Sequence, residues 1–220
     1  MSAAQGALPG RGHGREGHAA ALSEHEGHAG HESSKRVVVG YGFWIFLISD
    51  IIMFAAFFAT YAVLTNATAG GPSGRDLFDL DIVAIETACL LTSTLFCGLA
   101  GIGAQARRNG LFHGAMAVTF LLGATFVALE LHEFAGLIAR DAGPGRSAFL
   151  SAFFALIGCH GLHVSAGLLW LLTMMAQVYA KGYRDDILRR ILCFSLFWHT
   201  LDIVWVALFS LVYLVGVAPA

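Results

Sequence analysis

Charge is scarce in this chain. Asp, Glu, Lys and Arg make up 13% of its 220 residues, against roughly 25% in a soluble globular domain. The net charge of -2 and the lack of any basic stripe exclude a nucleic-acid-binding surface. Cysteine is sparse too: Cys89, Cys97, Cys159 and Cys193 all fall within apolar runs and none forms a CxxC pair. That spacing points to packing rather than to a disulfide framework or a zinc site. A cleavable signal is also missing, since the first apolar run starts near residue 41 and its length suits a span.

What is abundant is apolar surface, at 57% of residues with a mean hydropathy of +0.69. A crossing helix needs about 20 mainly apolar residues. Five stretches meet this, at about 41–64, 81–104, 114–138, 148–178 and 191–216. Strands of these lengths would leave backbone groups unpaired in lipid. The fold class expected is therefore an all-α polytopic membrane protein with five transmembrane helices. The fourth stretch is long enough to tilt or to project from the bilayer. Small residues four apart, Ala55 with Ala59 and Gly161 with Ser165, mark places where helices can approach closely.

Cations set the orientation. Arg11, Arg15, Lys35, Arg36, Arg107, Arg108, Lys181, Arg184, Arg189 and Arg190 belong to one side; only Arg75, Arg140 and Arg146 belong to the other. The positive-inside rule then puts the N-terminus in the cytoplasm and the C-terminus in the periplasm. Two parts are expected: a His-, Gly- and Ala-rich tail over 1–36, and a membrane domain over 37–220. The tail reads as solvated and disordered, although His25, His28 and His31 at every third position have the donor type for weak metal binding.

Within the spans, ionisable residues fall into two groups. By helical rise, Asp50 lies about 14 Å from the cytoplasmic end, His199 and Asp202 about 12–17 Å, and His160 and His163 about 22–27 Å. These form an inner-to-middle polar layer. Glu86, Glu130, His132 and Glu133 form a second layer farther out. The pairs Glu130 with Glu133, His160 with His163 and His199 with Asp202 are three apart, so each pair shares a helix face. Such a face must look into protein, because a charge facing lipid costs several kcal/mol. Three roles fit: hydrogen bonding between helices, bis-imidazole haem ligation by His199 with His160 or His163, or a proton path through Asp50, Glu86 and Glu130. A ligand pair recurring one span apart, the mark of a two-haem bundle, is missing.

Taken in order, GFWIFLISDIIMFAAFFATYAVL, ELHEFAG, SAFFALIGCHGLHVSAGLLW and SLFWHTLDIVWVALFSLVYLVG resemble subunit III of the haem–copper terminal oxidases. The likeness covers about 36–217. Five spans look like the bacterial form lacking the first two helices, and ARDAGPGRSAFLSAFFALIGCHGLHVSAG is most similar to the cytochrome o ubiquinol oxidase branch. The resemblance implies an accessory, non-catalytic subunit of a proton-pumping ubiquinol:O2 oxidoreductase in a bacterial inner membrane. It also implies no cofactor or metal in this chain, with haem and copper in subunit I. Subunit I is the implied main contact, with subunits II and IV and membrane phospholipids as further partners. The implied roles are assembly, stability and lipid binding. A cytochrome c oxidase subunit III, a proton antenna acting through Asp50 and a haem-binding cytochrome b-like carrier are the alternatives. Asp50 falls where cytochrome c oxidase members often carry a Glu, and Glu86, Glu130, Glu133, His160, His163, His199 and Asp202 match polar positions of the family pattern.

Overall fold

Five helices follow from the apolar runs, and a computed structural model describes the backbone of residues 13–71 and 80–214. Side chains are described for residues 38, 40–71 and 80–214. The helices are α1 (His13–Leu64), α2 (Leu80–Gln105), α3 (Asn109–Ala139), α4 (Ala148–Lys181) and α5 (Asp185–Leu208). A π-helical stretch, Phe209–Leu214, continues α5. All five hold a segment long and apolar enough to cross a membrane: Gly40–Leu64, Leu80–Gln105, Asn109–Ala139, Ala148–Lys181 and Asp185–Leu214. The all-helical reading holds, with no strand among the described residues. The expectations for the tail, including His25, His28 and His31, fall on side chains outside the described residues.

Two helices begin earlier than hydropathy alone indicates. α3 starts at Asn109 and α5 at Asp185; α3 opens on Asn109 and Gly110 and α5 on Asp185 and Asp186, residues that the apolar count leaves out. Asp185 and Asp186 occupy the first turn of α5, where negative charge meets the positive end of the helix dipole. The opening of α4 is capped by Ser147, whose side chain accepts from Leu150 N at 3.2 Å. Its close is made by Gly182 at φ +68°, a left-handed conformation that glycine adopts without steric cost. Beside it Tyr183 meets Phe112 edge-on at 6.0 Å, and burial pushes its phenol above the ordinary tyrosine range.

Residues 1–44 and 45–220 are separate units. In the first, Val38, Tyr41 and Trp44 are exposed. In the second, α2 packs on α3 and α5, and α4 packs on α3 and α5, which closes a four-helix ring. The buried positions have a common rhythm. On α2 they include Val83, Glu86, Leu90, Ser93, Cys97, Ala100 and Ala104, with Gly103 beside the last; on α5, Ile187, Ile191, Phe194, Trp198, Leu201, Trp205 and Leu208 among others. Steps of three and four residues make a coiled-coil seam, the signature of helices crossing at a shallow angle. Lipid supplies no hydrophobic drive between helices, so close packing and interhelical hydrogen bonds hold the ring together.

α1 joins by a thinner seam. Leu47, Phe54 and Tyr61, seven residues apart, are its buried apolar side chains. Phe54 meets the rings of His160 and His163 at 6.2 and 5.4 Å, and Tyr61 meets Phe149 at 5.9 Å. Ala55 and Ala59, expected at a close helix contact, are exposed. The seam runs through the opposite side of α1, so these small residues face away from the chain's own bundle.

Candidate functional site: polar groups on the helix seams

The last helix carries the densest polar chemistry, and its tryptophans explain how it is held. Trp198 Nε1 donates to Ser93 Oγ at 3.0 Å. Ser93 Oγ–H donates to Leu90 O at 2.7 Å, and Thr119 Oγ1 on α3 donates to Ser93 O at 3.3 Å. Seven residues on, Trp205 Nε1 donates to Thr87 Oγ1 at 3.1 Å. An indole is mostly apolar but needs one acceptor when buried, and α2 supplies one to each. The Trp198 ring fits because two glycines leave room. A Cβ on Gly123 would lie 3.0 Å from Trp198 Cη2, and one on Gly167 would lie 2.9 Å from Cζ3.

Asp202 lies on the same face, 8% exposed, against Thr94 of α2 and His199 of its own helix. His199 is half-buried, with Nδ1–H donating to Ser195 O at 2.6 Å. Asp50 on α1 faces His163 on α4, with Oδ2 and Nε2 4.0 Å apart. His163 Nδ1–H donates to Cys159 O at 2.7 Å. These two stay partly open, at 24% exposure for the His side chain and 18% for the Asp. His160 is fully buried. It stacks on Trp205 at 5.2 Å and meets Phe126 edge-on at 5.8 Å.

Of the expected inner layer, the structure gathers Asp50, His163 and His160 around Phe54 on the α1–α4 side. Asp202 and His199 form a second group against α2, and His160 reaches that helix only through Trp205. Of the outer group, Glu86, Glu130 and Glu133 come close enough to act on one another electrostatically, and all three act on Tyr213 in the π-helical stretch. His132 points elsewhere and is exposed. Glu86 and Glu130 are buried, at 0% and 4% exposure. Glu130 lies flat against α4 at Gly161, where a Cβ would come 2.5 Å from Oε2. The close approach expected at Gly161 is thus real, and its neighbour is a carboxyl.

Bis-imidazole ligation finds little support in this geometry. His160 is enclosed by aromatic rings, and a porphyrin there would have to displace Phe126 or Trp205. His163 and His199 each spend Nδ1 on their own helix backbone, and His163 Nε2 faces Asp50 on α1. Among the described residues no group of three or more His, Cys, Asp or Glu is placed to hold a metal ion.

Sequence reasoning named the ionisable residues and missed Ser93, Thr87, Thr119, Gly123 and Gly167. A signal was there: Glu86, Ser93 and Cys97 fall on the three-and-four rhythm of α2, as do Trp198, Asp202 and Trp205 on α5, give or take one position.

The fold and its seams define a class: a polytopic helical subunit that buries its ionisable side chains between helices. The profile of cytochrome c oxidase subunit III matches residues 20–217, and the chain belongs to that family. It is 52% identical over 192 residues to the cytochrome bo(3) ubiquinol oxidase subunit 3 of Pseudomonas aeruginosa, covering 87% of this chain and 91% of that one. The protein of the same name from Pseudomonas putida is 51% identical, covering 85% and 89%. The quinol oxidase subunit 3 of Bacillus subtilis is 41% identical, covering 80% and 86%.

Proposed function

We propose that this chain is the accessory, non-catalytic subunit III of a proton-pumping ubiquinol:O2 oxidoreductase in a bacterial inner membrane. Electron transfer would belong to subunit I, with its haem and copper, and subunits II and IV would complete the assembly. The observation that carries this reading is the near full-length similarity to quinol oxidase subunits. It favours quinol over cytochrome c as the donor of the complex. The chain's own contribution is structural. Trp198, Trp205 and Thr119 spend polar atoms on joining helices, while Ile85, Leu95 and Ile102 on α2 and Ile51 and Ile52 on α1 are exposed. Those apolar faces suit subunit I and phospholipid tails.

In this reading the Asp202 group locks α5 to α2 and so keeps the subunit assembled. Asp202→Leu is expected to lower the amount of this chain that copurifies with the oxidase by about fivefold, the equivalent of ~1 kcal/mol for one interhelical polar contact. Quantifying the subunits of the affinity-purified complex checks it; an unchanged ratio would count against the assignment.

Orientation follows from the cations, with residues 1–36 and the α2–α3 and α4–α5 turns on the cytoplasmic side. In a cysteine-depleted background, Arg108→Cys should resist a membrane-impermeant maleimide in intact cells and react after lysis. Labelling in intact cells would reverse the orientation.

A second reading, a proton antenna, is favoured by the Asp50–His163 pair. Among the described residues it is an acid–imidazole contact between helices that keeps partial exposure. Asp50→Asn should then slow turnover and shift its pH dependence while subunit content stays normal. A wild-type pH profile would remove this reading.

A further inference from the structure

Between α3 and α4 lies a cavity of about 470 Å³, within the range of about 300–1,000 Å³ typical of small-molecule sites. Its walls include Phe134, Phe154, Ala155 and Gly158. Its rim includes Leu131 and Leu162, 62% and 73% exposed. Both leucines sit on the outward face of membrane-spanning helices, so the mouth opens sideways to lipid.

The polar groups along the wall are mostly committed. Ser165 Oγ donates to Gly161 O at 2.8 Å, and Cys159 Sγ lies 3.8 Å from His163 Nδ1. Glu130 is the exception: 4% exposed and lining the cavity, with an Oε1 that has no hydrogen-bond partner among the described residues. A carboxyl held away from water needs a hydrogen-bond partner; in its acid form it donates through O–H and accepts through its other oxygen. The cavity therefore asks for an apolar molecule with an oxygen that pairs with an acid. Phe134 and Phe154, with centroids 4.6 Å apart, add a wall suited to a flat ring.

We propose that this cavity binds a quinone or quinol. The ring would lie against Phe134 and Phe154, a ring oxygen would pair with the Glu130 carboxyl, and the isoprenoid tail would leave between Leu131 and Leu162. A quinone carbonyl accepts from the acid O–H and a quinol hydroxyl donates to the acid carbonyl, so both oxidation states bind. Depth argues against a phospholipid. Glu130 lies about 14 Å below the Ala139 end of α3. A headgroup held at the membrane surface leaves that depth to acyl methylenes, which offer a carboxyl no hydrogen bond. The choice of quinone among carbonyl amphiphiles rests on the quinol-oxidase reading above.

The test uses the intact purified oxidase, a photoreactive azido-ubiquinone, and peptide mapping of this chain by mass spectrometry. The expected result is labelling within residues 127–165 that excess short-chain ubiquinone suppresses and excess phospholipid does not. Glu130→Leu should lower that labelling about tenfold, the scale of one lost buried hydrogen bond. Glu130→Gln, which keeps a donor and an acceptor, should restore most of it. Should Glu130→Leu fail to assemble, Ala155→Trp at the exposed edge of the cavity should abolish labelling with the chain retained at wild-type stoichiometry. Label confined to other subunits, or suppressed equally by phospholipid, overturns the proposal and leaves the quinol-oxidase reading intact. An oxidase that reduces O2 with cytochrome c and not with quinol would instead overturn that reading.

Discussion

α1 and α5 are comparably apolar yet hold their places by different means. Within the most apolar stretch of each, 11% of the α1 span is buried against 50% for α5. α1 touches the ring along one heptad line of Leu47, Phe54 and Tyr61, with the partly open Asp50–His163 pair beside it. α5 is wedged. Its Trp198 sits against two glycines, both its tryptophans bond to α2, and Asp202 adds a third polar contact. The same kinds of residue, an acid and a histidine, thus sit in different surroundings: on one helix face in α5, and across two helices at Asp50 and His163. On α5 the acid is enclosed and, in the proposed function, would act on assembly; on α1 the pair is accessible and, in the second reading, would act on protons. The difference shows that an ionisable residue in a span is read by the seam it lies on, not by its type.

Substitutions that crowd the wedge should have the largest effect. Gly167→Leu pushes side-chain atoms into the Trp198 ring, an overpacking that costs about 1–3 kcal/mol or more. It should strip this chain from the complex, as read by subunit content and by a lower thermal midpoint of the purified oxidase. Trp198→Phe is milder. It removes the bond to Ser93 and part of the ring at a cost of about 1–2 kcal/mol, with the chain retained but detergent-sensitive. If both variants behave as wild type, α5 is not wedged and the contrast with α1 collapses. The smallest stability effect belongs to Asp50→Asn. A partly open pair 4.0 Å apart contributes under about 1 kcal/mol, so a melt should hardly move, whatever happens to turnover. A large loss of assembly in Asp50→Asn would show that α1 depends on its polar pair as α5 depends on its tryptophans.

Much of this was legible in the residues themselves. Span number follows from runs of apolar residues, because a helix crossing lipid has to satisfy all its backbone groups internally. The inward turn of Glu130, His160 and Asp202 follows from the cost of charge in lipid. The early starts of α3 and α5 were harder to see, since openings such as Asn109–Gly110 and Asp185–Asp186 sit beyond the apolar run. Ala55 and Ala59 misled for another reason. Small residues at four-residue spacing permit close contact but do not say which side of a helix has a neighbour.

Composition and order alone therefore determined five membrane-spanning helices, the family, and the set of ionisable groups that must face protein. The spans and the burial of charge depend on transfer between water and lipid, which acts on each residue separately, and the family on the order of its motifs. Which helix each group meets was decided only by tertiary structure. Ser93 for Trp198, His163 for Asp50 and the bare backbone at Gly161 for Glu130 are contacts between residues far apart in the chain. They depend on helix register and distance, and a shift of one residue on either helix would turn each group to a different neighbour.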